Sequence, residues 1–290
     1  MYPKAFEYYK PANIEDALSY LQIHQDSKLI AGGQSIIPAM KLRIASPSTL
    51  VDIRKLNDLN YVKDEGANIK IGSLTTHAQV AESSTIKEKL PILSETAENI
   101  GDVQIRTLGT IGGSICHADP AADYLPTLLT LDARLNLRSK SKGQRSTPIS
   151  EFLQGPFTTS VEADEILEEI TIPTYKGTGG VRKFARRKAD FAVVAVAALL
   201  DLEGGLVKDL KIAVGPQQNT ATRLHKLESA VKNQRFNDQA SLDSFVRKEL
   251  ASEELDFPTD IHGSSSYRKQ VAESIIPEMM RTLYEKQKVN

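Results

Sequence analysis

Residues 29–38 read Leu29-Ile30-Ala31-Gly32-Gly33-Gln34-Ser35-Ile36-Ile37-Pro38, an apolar run that breaks at two glycines and restarts as a helix-compatible segment. Glycine lets a backbone turn sharply and approach a ligand closely, and the N–H groups that open a helix are free to bind phosphate oxygens. The stretch is neither the GxGxxG dinucleotide fingerprint nor the GxxxxGK[ST] phosphate loop, so the nicotinamide and ATP readings lose their main support. Taken alone, Gly32-Gly33 reads equally as a simple tight turn. Outward from it, residues 6–9 look extended and Asn13 with Asp16 resembles a capping box. That box opens a helix over 14–24, with Ile14, Ala17, Leu18 and Leu21 on one face. Residues 28–31 read as a short strand, 36–43 as a helix and 49–53 as the next strand, the alternation of an α/β unit.

A second glycine-rich loop is expected at Gly109-Thr110-Ile111-Gly112-Gly113-Ser114, followed by His117-Ala118-Asp119-Pro120-Ala121-Ala122-Asp123. Two phosphate-type loops suit a ligand with two phosphates. At Gly33 and Gly112 a Cβ is expected either to clash with bound phosphate or to oppose a glycine conformation. The Asp123 carboxylate can accept from ribose or ribityl hydroxyls, or simply serve as a helix N-terminal acid. His117 and Cys116 read either as chemistry or as structure. Between the loops, residues 61–63 and 70–72 resemble a hairpin around Glu65-Gly66, and helices are expected from about 76 to 100. Beyond, 121–130 looks helical and 133–138 extended, which suggests a second α+β subdomain. Residues 177–180 read as a linker. After it, 191–202, the turn Glu203-Gly204-Gly205 and 206–214 form a β-hairpin, and the rest is mostly helical.

Composition narrows the function. The 36 Lys+Arg nearly balance 37 Asp+Glu, which implies neither a nucleic acid nor an anionic membrane as partner. The longest apolar run, 191–200, falls short of the roughly 20 residues a membrane-spanning helix needs. Residues 1–10 lack the apolar stretch of a secretory signal, so a cytoplasmic location is expected. One cysteine, Cys116, closes no intrachain disulfide and cannot hold an iron–sulfur cluster, which needs four ligands. The five histidines show no zinc-type spacing, and no metal is expected on this chain.

Together, AGGQSIIPAMKLR (31–43) and GTIGGSICHADPAADYLP (109–126) resemble the FAD-binding medium subunit of the carbon monoxide dehydrogenase and aldehyde oxidoreductase group, in the xanthine dehydrogenase family of molybdenum hydroxylases. The length, the ARRKADFA segment (185–192) and the helical C-terminal part also fit. The resemblance implies an α+β fold. A two-part FAD-binding domain of the vanillyl-alcohol-oxidase/PCMH type (1–56 and 57–176) precedes a smaller C-terminal domain (177–290) with an antiparallel sheet and helices. It implies that the two loops grip the FAD pyrophosphate, with Leu29, Ile30, Ala31, Gly32, Gly33, Gln34, Ser35 and Ile36 on one side. Thr110, Ile111, Gly112, Gly113 and Ser114 lie on the other, with His117 and Asp119 close by and Asp123 binding the FAD as well. Ile100 and Leu167 match positions that touch adenine or flavin rings, and Asp190-Phe191 matches a pair near the isoalloxazine. The family often has His at the position of Gln34, so a role for a His side chain there does not carry over.

The basic cluster Arg182, Lys183, Arg186, Arg187 and Lys188 can set a cation, Lys183 foremost, beside the cofactor, or form a solvated strand face or a subunit contact. The implied partners are a large molybdenum-cofactor subunit and a small subunit with two [2Fe-2S] clusters, in a heterotrimer or its dimer. Electrons then pass from the clusters through FAD to an external acceptor, and no catalytic acid–base pair is needed here. The competing readings are a free-standing flavin oxidoreductase, which would need its own pocket acid or base, and a scaffold subunit without flavin.

Overall fold

The computed structural model describes residues 2–289; Met1 and Asn290, the outer ends of the expected domain ranges, lie outside the described residues. The chain opens with β1 (Glu7–Tyr9), α1 (Ile14–Ile23), β2 (Ser27–Ile30), α2 (Ile36–Lys41) and β3 (Thr49–Asp52). The three strands form a parallel sheet with β3 in the centre. Asn13 caps α1 by accepting the Asp16 N–H at 2.9 Å. Asp16 does not complete the box, because its carboxylate is held by the Ala12 N–H and the Tyr9 hydroxyl instead. Ala17, Leu18 and Leu21 of α1 pack on Val51 and Leu59 as a small core of their own.

The second part runs β4 (Val62–Asp64), β5 (Asn68–Gly72), α3 (His77–Glu82), α4 (Ser84–Lys89), α5 (Pro91–Glu98), α6 (Val103–Leu108), α7 (Ile111–His117) and α8 (Tyr124–Thr130). It continues with β6 (Arg134–Ser139), β7 (Gly143–Pro148), α9 (Ile149–Phe152), β8 (Leu153–Gly155), β9 (Thr158–Thr159) and β10 (Glu165–Pro173). The five-stranded sheet has the order β4-β5-β10-β6-β7, and its apolar face shares a core with α3, α4, α5, α7 and α8. β10, its central strand, carries no expectation from the sequence. Its Ile170-Thr171-Ile172 alternation is clean, but a bulge between Leu167 and Glu169 breaks the two-residue period.

The expected loop over 109–114 is largely helix. Thr110 is the N-cap of α7, its Oγ1 accepting the Gly113 N–H at 3.1 Å, and Ile111 and Gly112 are buried in the first turn. The expected linker over 177–180 is also corrected. Thr178 to Gly180 begin β11 (Thr178–Phe184), paired in register with Leu200 to Ala198. Glycine stands there because of crowding: a Cβ on Gly179 would sit 2.6 Å from Leu199 Cδ2, and one on Gly177 only 2.2 Å from the Leu200 carbonyl oxygen.

β12 (Val194–Glu203), β13 (Leu206–Gly215) and β14 (Thr222–Arg223) complete a four-stranded antiparallel sheet with β11. α10 (His225–Val231), α11 (Gln239–Leu250) and α12 (Ser265–Val289) follow. β12 is buried on both faces. Val196, Ala198 and Leu200 face the core under α11 and α12, while Ala197 and Leu199 join the core of the second part beneath α8.

Candidate functional site

Where the first loop meets α7, a cleft of about 750 Å³ opens between the parallel sheet, the five-stranded sheet and the base of β11. That volume lies within the roughly 300–1,000 Å³ typical of small-molecule sites. The two glycine segments touch directly, because Gly32 sits so near the 108–109 backbone that a Cβ on it would be 2.2 Å from the Leu108 carbonyl oxygen.

The two segments differ in what they offer. In the first, the N–H groups of Gly33, Gln34, Ser35 and Ile36 donate to no protein acceptor among the described residues. Gly33 takes φ +75°, which turns the chain so that these amides line one concave wall, and Gln34 folds its side-chain amide back onto the Gly32 carbonyl at 3.0 Å. Successive unpaired amides in such a turn make an anion cradle. In the second segment three successive amides are already used: Ile111 N–H donates to the Thr75 carbonyl, Gly112 N–H to the Ser73 carbonyl and Gly113 N–H to the Thr110 hydroxyl. The two segments are therefore not equivalent in the free amides they offer. The second segment presents the faces of Thr110, Gly113 and Ser114, and Gly112 is glycine because its Cβ would be 2.5 Å from Ser73 Cβ.

Asp123 occupies the N-cap position of α8, yet its side chain makes no capping bond. Its Oδ2 accepts from Lys183 Nζ at 2.9 Å, and that ammonium also donates to the Asn99 carbonyl at 2.9 Å. Both side chains are 10% exposed. The second carboxylate oxygen, Oδ1, is buried with no partner among the described residues. Burial pushes the Asp123 carboxyl up to about 6, with the Lys183 charge and hydrogen bond pulling against it. A ligand hydroxyl or N–H reaching Oδ1 would satisfy an atom that otherwise loses its hydration for nothing.

Of the residues singled out from the sequence, Leu29, Ala31, Gly32, Gly33, Gln34, Ser35 and Ile36 all border this cleft. So do Ile100, Thr110, Gly112, Gly113 and Ser114, and likewise His117, Asp119, Asp123, Leu167, Lys183, Asp190 and Phe191. Ile30 and Ile111 do not border it. Ile30 packs on Met40 and Leu50, and Ile111 lies in the main core at 0% exposure. Of the basic cluster, only Lys183 reaches the cleft; Arg186 and Arg187 stand outside it. Burial pushes the Cys116 thiol, on the cleft wall, up to about 12, which leaves it without thiolate character. Burial also lowers His117, with the nearby Asp119 charge opposing, and the ring lies against Phe157 at 5.2 Å between centroids.

The sequence reading missed His77. It is 4% exposed, borders the cleft, and its Nδ1 lies 3.2 Å from the Tyr124 hydroxyl, while Gly109 must be glycine because a Cβ would be 2.7 Å from Nε2. Burial, with Arg106 adding to it, lowers His77 to about 4, so the ring is neutral. Only its place after the capping residue Thr76 was visible in the sequence, and that says nothing of Gly109, which lies thirty-two residues further on.

Comparison with known proteins agrees with this geometry. Residues 4–175 match the family described as the FAD binding domain in molybdopterin dehydrogenase, and residues 180–283 match the CO dehydrogenase flavoprotein C-terminal domain. The chain is 37% identical to the glyceraldehyde dehydrogenase medium chain of Sulfolobus acidocaldarius, covering 93% of this chain and 95% of the other. It is 31% identical to the carbon monoxide dehydrogenase medium chain of Hydrogenophaga pseudoflava, covering 98% and 99%. The fold superposes on quinoline 2-oxidoreductase from Pseudomonas putida 86 with a TM-score of 0.93 at 29% identity, over 99% of each chain. With both matched regions in order and the cleft between them, the chain belongs to the family of FAD-binding medium subunits of molybdenum hydroxylases.

Proposed function

We propose that this cleft holds one FAD without a covalent bond, and that the chain is the electron-transfer subunit of an aldehyde- or carbon monoxide-oxidising type of complex. The observation that carries the reading is the opposition of two unsatisfied surfaces in one cleft. Unpaired amides of residues 33–36 suit phosphate oxygens, and the unpartnered Asp123 Oδ1 suits a hydroxyl or ring N–H. When bound, FAD supplies a carrier that accepts electrons singly from iron–sulfur clusters and delivers two to an external acceptor. The chain's own residues bind and orient. The first loop neutralises the phosphates through its backbone, Lys183 holds Asp123 in place, and Leu167, Ile100 and Phe191 offer apolar surface for rings. Cys116, whose thiol burial keeps protonated, and the packed His117 fit a non-covalent site.

The proposed partners are a large molybdenum-cofactor subunit and a small subunit carrying two [2Fe-2S] clusters, in a heterotrimer or its dimer. Names of full-length relatives such as the carbon monoxide dehydrogenase medium chain support this over a free-standing oxidoreductase or an empty scaffold. A division at 1–56, 57–176 and 177–290 belongs to the same proposal, and the three separate main sheets, β1-β3-β2, β4-β5-β10-β6-β7 and β11-β12-β13-β14, support it. No helix among the described residues is long and apolar enough to cross a membrane. A cytoplasmic location is also proposed, with cell fractionation as its check. For the cofactor, acid precipitation of the purified chain should release FAD into the supernatant. Flavin that stays on the precipitated protein defeats the non-covalent claim, and release of FMN defeats the pyrophosphate argument.

A further inference from the structure

Residues 185–192 join β11 to β12 and are closed at their base, where the Val193 N–H donates to the Phe184 carbonyl at 2.7 Å. The segment separates two spaces. Ala189, Asp190 and Phe191 border the cofactor cleft, and they also border an open outer cavity of about 510 Å³ whose other walls are Arg186, Arg187 and His262. Phe191 is 53% exposed, so burial of its own side chain does not fix its place.

The fixed point is Arg268, in the first turn of α12 and only 1% exposed. One guanidinium nitrogen donates to the Val193 carbonyl at 2.6 Å and, more weakly, to the Ala192 carbonyl at 3.5 Å. The other donates to Asp260 Oδ1 at 2.5 Å, and the same oxygen accepts the His262 N–H at 2.8 Å. A single side chain thus ties the end of the 185–192 segment to the turn that carries His262, the two walls of the outer cavity. Burying a guanidinium is unfavourable, and here its Nε finds no acceptor among the described residues. An apolar residue would fill the space with less desolvation. What arginine adds is a rigid planar fork that reaches two partners at a fixed angle, which lysine cannot reproduce.

We infer that Arg268 is a positioning residue: it holds Ala192 and Val193 so that Asp190 and Phe191 stand as the partition between the cofactor cleft and the outer cavity. It thereby sets how freely small acceptors from the outer side reach the cofactor. The consequence for access rests on the flavin reading; the tether does not.

Two variants of the full chain test this. Arg268→Lys keeps the charge and loses the fork, and Asp260→Asn weakens the same fork from its more exposed end should the first fail to fold. Three readouts apply: trypsin cleavage at 186–188, amide exchange across 184–193, and iodide quenching of flavin fluorescence. Cleavage and exchange should rise about tenfold, the effect of one lost charge-assisted hydrogen bond on local opening, while β13 amides keep their protection. Quenching should rise with them. Wild-type cleavage and exchange in the folded variants overturn the inference, as does an equal loss of protection across β12 and β13, which would make Arg268 a general stability residue. A loosened segment with unchanged quenching of bound flavin overturns the access role. Faster local opening in a chain that holds no flavin upholds the tether and defeats the flavin reading instead.

Discussion

Gly112 and Gly113 are neighbours with opposite surroundings, and that difference yields a test. A Cβ on Gly112 meets Ser73 Cβ at 2.5 Å and the Ser73 carbonyl at 2.7 Å, inside the packed seam between α7 and β5. Gly112→Val should therefore cost about 3 kcal/mol of stability, because backbone on both sides must give. A Cβ on Gly113 meets only the Thr110 hydroxyl at 2.9 Å and Ala31 Cβ at 3.8 Å, at the cleft surface. Gly113→Val should stay folded and lose most of its FAD, as absorbance at the flavin band after gel filtration will show; full occupancy would remove Gly113 from the site. His77 and Asp123 add a pH dependence. Burial lowers His77 to about 4, below its unfolded value, so its contribution is complete above about pH 6.5 and is lost as pH falls toward 4, roughly 3 kcal/mol in all. Asp123, raised to about 6, does the reverse: its ionised form is disfavoured by folding, so stability is regained as pH falls from 6 toward 4. In cofactor-free protein the two nearly cancel over that window. His77→Gln should leave the Asp123 slope alone, with stability rising as pH falls from 6 to 4; denaturant midpoints that still run flat would contradict this.

At the scale of elements, β11 and β12 show why a segment that reads as a linker becomes a strand. β12 reads as one apolar run because the helices cover one face and α8 the other, so each residue has a core to face. β11 lies against it, and its glycines are set by that approach rather than by flexibility. Gly177 takes φ +94° directly beneath the Leu200 carbonyl. Gly177→Ala should lower stability by about 2 kcal/mol, combining the strained φ with the clash, where a true linker would tolerate the change. Urea unfolding followed by far-ultraviolet circular dichroism will decide, and an unchanged midpoint would restore the linker reading. β10 teaches the converse. Its alternation is real, but the bulge at Leu167/Glu169 shifts the period between the residue that reaches the cleft and those that pair with β5. A strict two-residue template therefore passes over the central strand.

At the scale of the whole molecule, the cleft lies where all three parts converge: the first loop from the parallel sheet, α7 and Asp123 from the second part, and Lys183 with the 185–192 segment from the third. Among the described residues, both histidines that border it are engaged, His77 with the Tyr124 hydroxyl and His117 against the Phe157 ring, and its carboxylate Asp123 is held by Lys183. The loaded subunit by itself should therefore fail to bleach its flavin band when given an aldehyde or carbon monoxide without oxygen. Adding the molybdenum and iron–sulfur subunits should restore bleaching. Bleaching by the lone subunit at the rate of the full complex would make it a free-standing oxidoreductase.

The local signals were legible in the chain itself: the glycine pairs at 32–33 and 112–113, the Asn13 cap, the 203–205 turn and the single cysteine depend on residue type and near neighbours alone. These were enough for much of the element order in the first part and the hairpin of the last, for the two glycine segments and for the family resemblance. Tertiary structure decided which backbone groups remain unsatisfied once folded. The amides of 33–36 lead into the first turn of α2, where no intrahelical carbonyl reaches them, and they stay open among the described residues, whereas those of 111–113 are taken by Thr75, Ser73 and Thr110. It also decided the partnerships of Asp123 with Lys183, sixty residues apart, and of Arg268 with Val193, seventy-five apart. Such pairs leave no periodic trace in sequence, since a buried charge takes its meaning from the group that packing brings to it.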